Sequence, residues 1–142
     1  MRPKICACLL LTLLFFKESH AKMTEAQVQA VSKVTRNVCQ PKSKVTDEEI
    51  DNAKNGIWDD NSKPLKCYME CCLKMFKVMK NGALDFESAI NEANKLPDER
   101  RERAIPAMTS CKDKAVGTEK CEASYNYAKC IQQTDPKTDL IP

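Results

Sequence analysis

The chain has 142 residues, about one domain's worth, and carries nine cysteines, one histidine, 23 basic and 20 acidic residues. The near balance of charge excludes the gathered basic excess of a nucleic-acid binder. With a single histidine, loss of that one residue would exclude Ser/His/Asp and Cys/His hydrolysis and zinc sites that need imidazole.

The N-terminal 21 residues read as a secretory signal peptide: Arg2 and Lys4, an apolar run from Ile5 to Phe16, then Lys17, Glu18, Ser19, His20 and Ala21. Ser19 and Ala21 place small side chains ahead of a cut after Ala21. The apolar run is too short to cross a bilayer core of ~30 Å as a helix, so stable membrane insertion is not expected. Cleavage would remove Cys6, Cys8 and His20 and leave 121 residues, 22–142, with seven cysteines, no histidine and a formal charge of +1. Without imidazole the chain lacks the usual neutral-pH proton shuttle. Seven cysteines in a small secreted chain predict a disulfide framework with one thiol to spare.

Helical signals follow one another along the chain. Thr24 to Gln27 form a capping box ahead of Val28, Val31, Val34 and Val38, with Pro41 as the stop. Thr46 to Glu49 form a second box, backed by Ile50 and Ala53 and closed by Asn55 and Gly56. Ser62 caps a third helix with Pro64 in its first turn and a stripe of Leu65, Tyr68, Cys72, Met75, Phe76 and Met79, ending at Asn81 and Gly82.

A fourth helix is predicted from Asp85, with Phe86, Ala89, Ile90 and Ala93 on one side and Leu96 before Pro97. A fifth starts near Asp98, whose charge suits the helix dipole, and runs towards Lys114. Pro106 inside it predicts a kink, or a helix that begins only near Ile105. Gly117 and Thr118 precede a sixth helix carrying Cys121, Tyr125, Ala128, Cys130 and Ile131, and residues 137–142 form a tail. No alternating strand pattern, repeat or low-complexity tract stands out.

Helix geometry restricts the cysteine pairing without settling it. On a shared helix Cys121 and Cys130 would lie on opposite sides and ~13.5 Å apart, beyond the ~7 Å between Cα atoms that a disulfide tolerates. Cys67 and Cys71 share a face, while Cys72 turns towards Met75 and Met79. No CxxC unit of a zinc ribbon occurs, and neither metal nor cofactor is expected.

Cys39, Cys67, Cys71, Cys111, Cys121 and Cys130 are separated by 27, 3, 39, 9 and 8 residues. This spacing resembles the six-cysteine signature of insect odorant-binding proteins, and the words Lys66-Cys67-Tyr68-Met69-Glu70-Cys71 and Cys121 to Cys130 resemble that family's segments. The resemblance covers the chain from signal peptide to tail. It implies an all-α fold of about six helices around an apolar cavity and the pairs Cys39–Cys71, Cys67–Cys121 and Cys111–Cys130. It also implies a pocket lined from the third to sixth helices and closed by the tail at Leu140 and Ile141.

Combining that implication with the periodicity, the expected ligand-binding residues are Cys72, Met75, Phe76, Met79, Phe86, Ile90, Ile105, Met108, Tyr125, Leu140 and Ile141, each of which also reads as ordinary core. Methionines suit variable ligands because their unbranched thioethers fill irregular space. Tyr125 is the candidate for a polar ligand contact. Cys72 stands where the family usually has an apolar residue, and reads as a free buried thiol. With histidine gone, an acid response would have to come from carboxylates, Asp139 and the Pro142 carboxyl holding the tail in place. Trp58, followed by Asp59 and Asp60, reads as a loop anchor, and Asp98 to Arg103 as a solvated helix face.

The reading is of a non-enzymatic secreted carrier of small hydrophobic molecules in sensillum lymph or another secretory fluid, with an olfactory receptor or a second protomer as further partners. The alternative is a secreted effector or inhibitor acting by protein contact. A small phospholipase A2 would need a His/Asp pair that the mature chain lacks. A hollow interior favours the carrier and a fully packed one the effector.

Overall fold

The structure, a computed structural model, describes residues 21–142. The expected signal peptide therefore lies outside the described residues, apart from Ala21. Among the described residues six α-helices form: α1 (Glu25–Ser43), α2 (Asp47–Lys54), α3 (Lys63–Met75), α4 (Phe86–Ala93), α5 (Asp98–Cys111) and α6 (Glu122–Thr134). Short 3₁₀ turns follow α5 at Lys112–Lys114 and α6 at Pro136–Thr138.

The local signals act as their chemistry dictates. Thr24 and Thr46 both close complete capping boxes, with Gln27 and Glu49 reaching back to the cap N–H groups. Ser62 accepts from the Leu65 N–H and donates to Glu49, which ties the start of α3 to α2. Neither proline interrupts its helix: α1 runs through Pro41 to Ser43, and α5 is unbroken from Asp98 through Pro106. Both prolines are exposed, so each costs its own N–H bond without disturbing packing. On α5 the offset comes from Ala104, Ala107, Met108 and Cys111, which bury one face against the core. The start near Ile105 is therefore not adopted.

The third helix ends earlier than its apolar stripe suggests. Lys77 takes a left-handed conformation (φ 58°), its N–H donates to Lys74 and that of Val78 to Leu73. This is a Schellman closure with lysine in the place glycine usually takes. Met79 thus leaves the helix and enters a two-residue strand, β1 (Met79–Lys80), paired antiparallel with β2 (Ala83–Leu84). Asn81 and Gly82, both at positive φ, make the two-residue turn that such a hairpin requires.

Three disulfides join the helices in the pairs the resemblance implied: Cys39–Cys71, Cys67–Cys121 and Cys111–Cys130. Cys121 sits not within α6 but ahead of it, at φ 69°, where the backbone turns into the helix. Two apolar clusters result. One gathers Ile50, Leu65, Tyr68, Met69, Tyr125 and Ile141; the other gathers Val78, Ala89, Met108, Tyr127 and Ile131, and Phe76 packs against both. Among the described residues no helix is long and apolar enough to cross a membrane.

Several surface carboxylates are held below the usual range. Lys129 and then Tyr125 act on Asp60; Ser62 and then the Thr46 N–H act on Glu49; the N–H groups of Glu119 and Thr118 act on Glu122. A depressed folded pKa contributes stability above the unfolded value and loses it as pH falls through the folded one. The melting temperature is therefore expected to stay level from pH 7 to about 5 and to drop as pH falls through 4.5 and 3.8 and below. Circular-dichroism melts across that range would show it, and a transition between pH 7 and 6 would contradict it.

Candidate ligand cavity

Between the two clusters lies a partly enclosed cavity of about 350 Å³, within the range of small-molecule pockets. Each element supplies wall residues by its helical phase. The i, i+4 pair Tyr127 and Ile131 on α6 turns inward with Ala128, and α3 contributes Met69 and Cys72, with Phe76 at its C-cap. Ala89 and Ala93 form the inner face of α4; their small side chains leave space that larger ones would fill.

Of the expected ligand-binding residues, Cys72, Met75, Phe76, Met108, Leu140 and Ile141 line this wall. Met79, Phe86, Ile90, Ile105 and Tyr125 stand outside it. Met79 is carried away by the hairpin. On α4 Ile90 lies about 100° around the helix from Ala89, and Phe86, half-buried in the first turn, does not reach the wall. Ile105, half-buried, packs against the second cluster.

Tyr125 points to the opposite flank of α6. Its hydroxyl donates to Asp60 at 2.8 Å, its ring meets Trp58 edge-on at 5.3 Å, and the Lys66 and Lys129 ammonium groups lie 5.7 Å from its centroid. Trp58 is thus the loop anchor expected, bonded through its indole N–H to Gln132. The residues that sequence reasoning missed are mainly Tyr127, Gln132, Thr138 and the Val78 segment; for Tyr127 the signal was its spacing from Ile131.

The tail runs along the cavity and is held at two points. Tyr68 donates to the Pro142 main-chain oxygen at 2.7 Å. At the other end the mostly buried Arg100 guanidinium bonds Glu25 at 3.0 Å, the Asp139 carbonyl at 3.1 Å and the Asp139 carboxylate at 3.4 Å. Arg100 therefore joins α1, α5 and the tail. The N-terminal segment adds to this side, with the Met23 N–H on the Lys95 carbonyl and Met23 in the wall. Arg100→Gln is expected to speed ligand release several-fold while leaving the melting temperature nearly unchanged, because its partners are exposed and screened by salt. Stopped-flow displacement would measure this, and an unchanged rate would show that the segments hold without the arginine.

Cys72 is unpaired, buried and in the wall, and burial pushes its thiol up to about 12. It stays protonated at neutral pH and behaves as a small apolar side chain. Thiol titration of the unfolded, unreduced chain from residue 22 onward should give one group; zero would mean that Cys72 has paired. Among the described residues, the cluster closest to a metal site is Cys67, Glu70 and Cys121, and its two sulfurs are joined to each other.

A helical shell cross-linked by three disulfides encloses an apolar cavity of a size that suits a small ligand. Residues 21–134 match the PBP/GOBP family, and the chain belongs to it. It is 31% identical over 117 residues to general odorant-binding protein 72 of Anopheles gambiae, covering 81% of this chain and 96% of that one. It is 32% identical over 133 residues to general odorant-binding protein 19a of Drosophila melanogaster, covering 90% of each. Among solved structures, odorant binding protein 4 of Chrysopa pallens superposes with a TM-score of 0.80 at 39% identity, over 84% of this chain and 99% of that one. Apis mellifera odorant binding protein 5 shares the fold, with a TM-score of 0.78 at 24% identity over 85% and 99%.

Proposed function

We propose that the protein is secreted and carries odorants, pheromones or other semiochemicals through aqueous extracellular fluid such as sensillum lymph towards receptors. Family and fold support the coarser role of a carrier of small hydrophobic ligands. The single observation that carries the finer reading is the apolar cavity between the two clusters, where a protein acting only by surface contact would have a packed interior. Burying an apolar chain gains about 0.8 kcal/mol per methylene before association costs, which places affinities in the micromolar range. An anilinonaphthalene probe should brighten on binding and be displaced by volatile apolar compounds. A probe that neither binds nor is displaced would turn the reading towards the effector.

A further inference from the structure

The cavity wall is mostly apolar, and its polar residues include Arg100 of α5 and, from α2 and α6, Lys54 and Gln132. Gln132 of α6 is 7% exposed and reaches across to the end of α2. Its Nε2 donates to the Lys54 carbonyl at 3.2 Å and its Oε1 accepts from the Trp58 indole N–H at 3.2 Å. An indole can only donate and a carbonyl can only accept, so these two partners fix which way the amide faces. That orientation uses one of the two Nε2 hydrogens and leaves the other without a protein acceptor among the described residues. Gly56 keeps room for the group: at φ 83° it turns the chain after α2, and a Cβ there would stand 3.4 Å from Nε2.

The charges of the wall point the same way. Four cations line it, and two are matched within it: Lys95 by Glu92 at 2.6 Å and Arg100 by Asp139 at 3.4 Å. Lys77 and Lys54 enter no salt bridge among the described residues. Lys77 is exposed, whereas Lys54 is half-buried, gives its carbonyl to Gln132 and lies close enough for its charge to act on the Cys72 thiol in the wall. A buried amide with an unused donor, in a wall that also carries an unmatched lysine, is a site for an anionic acceptor, since a desolvated donor without a partner is costly and a charge-assisted bond is strong.

Resting on the carrier reading, we infer that the preferred ligand is a single-chain carboxylate amphiphile, its carboxylate held by the Lys54 ammonium and the second Gln132 N–H while its alkyl chain lies against Cys72, Tyr127 and Ile131. The site distinguishes head groups, and the apolar wall accepts the chain.

The test compares dodecanoate, its methyl ester and dodecan-1-ol as displacers of the anilinonaphthalene probe at pH 7. The wild-type protein should favour dodecanoate over both. Lys54→Met should weaken dodecanoate about tenfold, in keeping with a bond to a charged group, and leave dodecan-1-ol unchanged, while Lys54→Arg restores the preference. Gln132→Glu, which keeps the acceptor for Trp58 but replaces both Nε2 hydrogens, the one on the Lys54 carbonyl included, by a negative charge, should weaken dodecanoate further. Its melting temperature and dodecan-1-ol affinity report whether the fold is intact. Equal affinity for acid and ester, or a Lys54→Met variant that binds both as the wild type does, would overturn the carboxylate site and leave the carrier intact. Failure of all three compounds to displace the probe would overturn both.

Discussion

Replacing Cys67 and Cys121 together by alanine is expected to lower the free energy of unfolding by about 4 kcal/mol, the value that follows when a disulfide acts mainly by restricting the unfolded chain. The bridge spans 54 residues, the longest separation of the three, and joins α3 to the start of α6. Its loss also frees Cys121 from the left-handed conformation that starts α6. The Cys111–Cys130 bridge spans 19 residues and should be worth about 3 kcal/mol. Against a typical total of about 5–15 kcal/mol, either loss is large. Guanidinium unfolding of the two double variants without reductant would compare them. A greater cost for Cys111→Ala/Cys130→Ala would show that local packing, not loop length, sets the order.

The second large effect is expected from filling the cavity. Ala128 lies on the inner face of α6, packed with the first cluster and in the cavity wall. Ala128→Phe would project a ring into space that is now empty, so it should cut probe affinity at least tenfold, equivalent to about 1.4 kcal/mol. In a close-packed core the same enlargement would cost about 1–3 kcal/mol in stability. A melting temperature that holds or rises while binding is lost would identify the space as a ligand cavity. A melting temperature that falls with binding unchanged would show that the ring displaces structure instead.

Most of the framework was legible because its signals are local. Capping boxes at Thr24 and Thr46 depend on residues three apart, and both formed. Six cysteines at family-like intervals carried the pairing. Hairpin and helix end were less legible: Asn81-Gly82 marks a turn equally well after a helix or between strands, and the left-handed residue that stopped α3 is a lysine. On α4 the expected face held Phe86, Ala89, Ile90 and Ala93 together, and the two alanines line the cavity where the larger Phe86 and Ile90 were expected to.

Tyr125 shows the limit most clearly. Its spacing marked it as inward, and it is buried, but towards Trp58 and Asp60 rather than towards the hollow. Periodicity tells which residues leave water; it does not tell whether the space they enter is filled.

From sequence alone came the cysteine framework, the helix starts and the absence of histidine from residue 22 onward, all properties of residue identity and short spacing. Tertiary structure alone decided where the hollow lies, that Arg100 joins α1 to the tail, and that the Gln132 amide faces with one donor unused. These depend on contacts between residues 39 to 78 positions apart in the chain, whose geometry is set by packing and not by any local pattern.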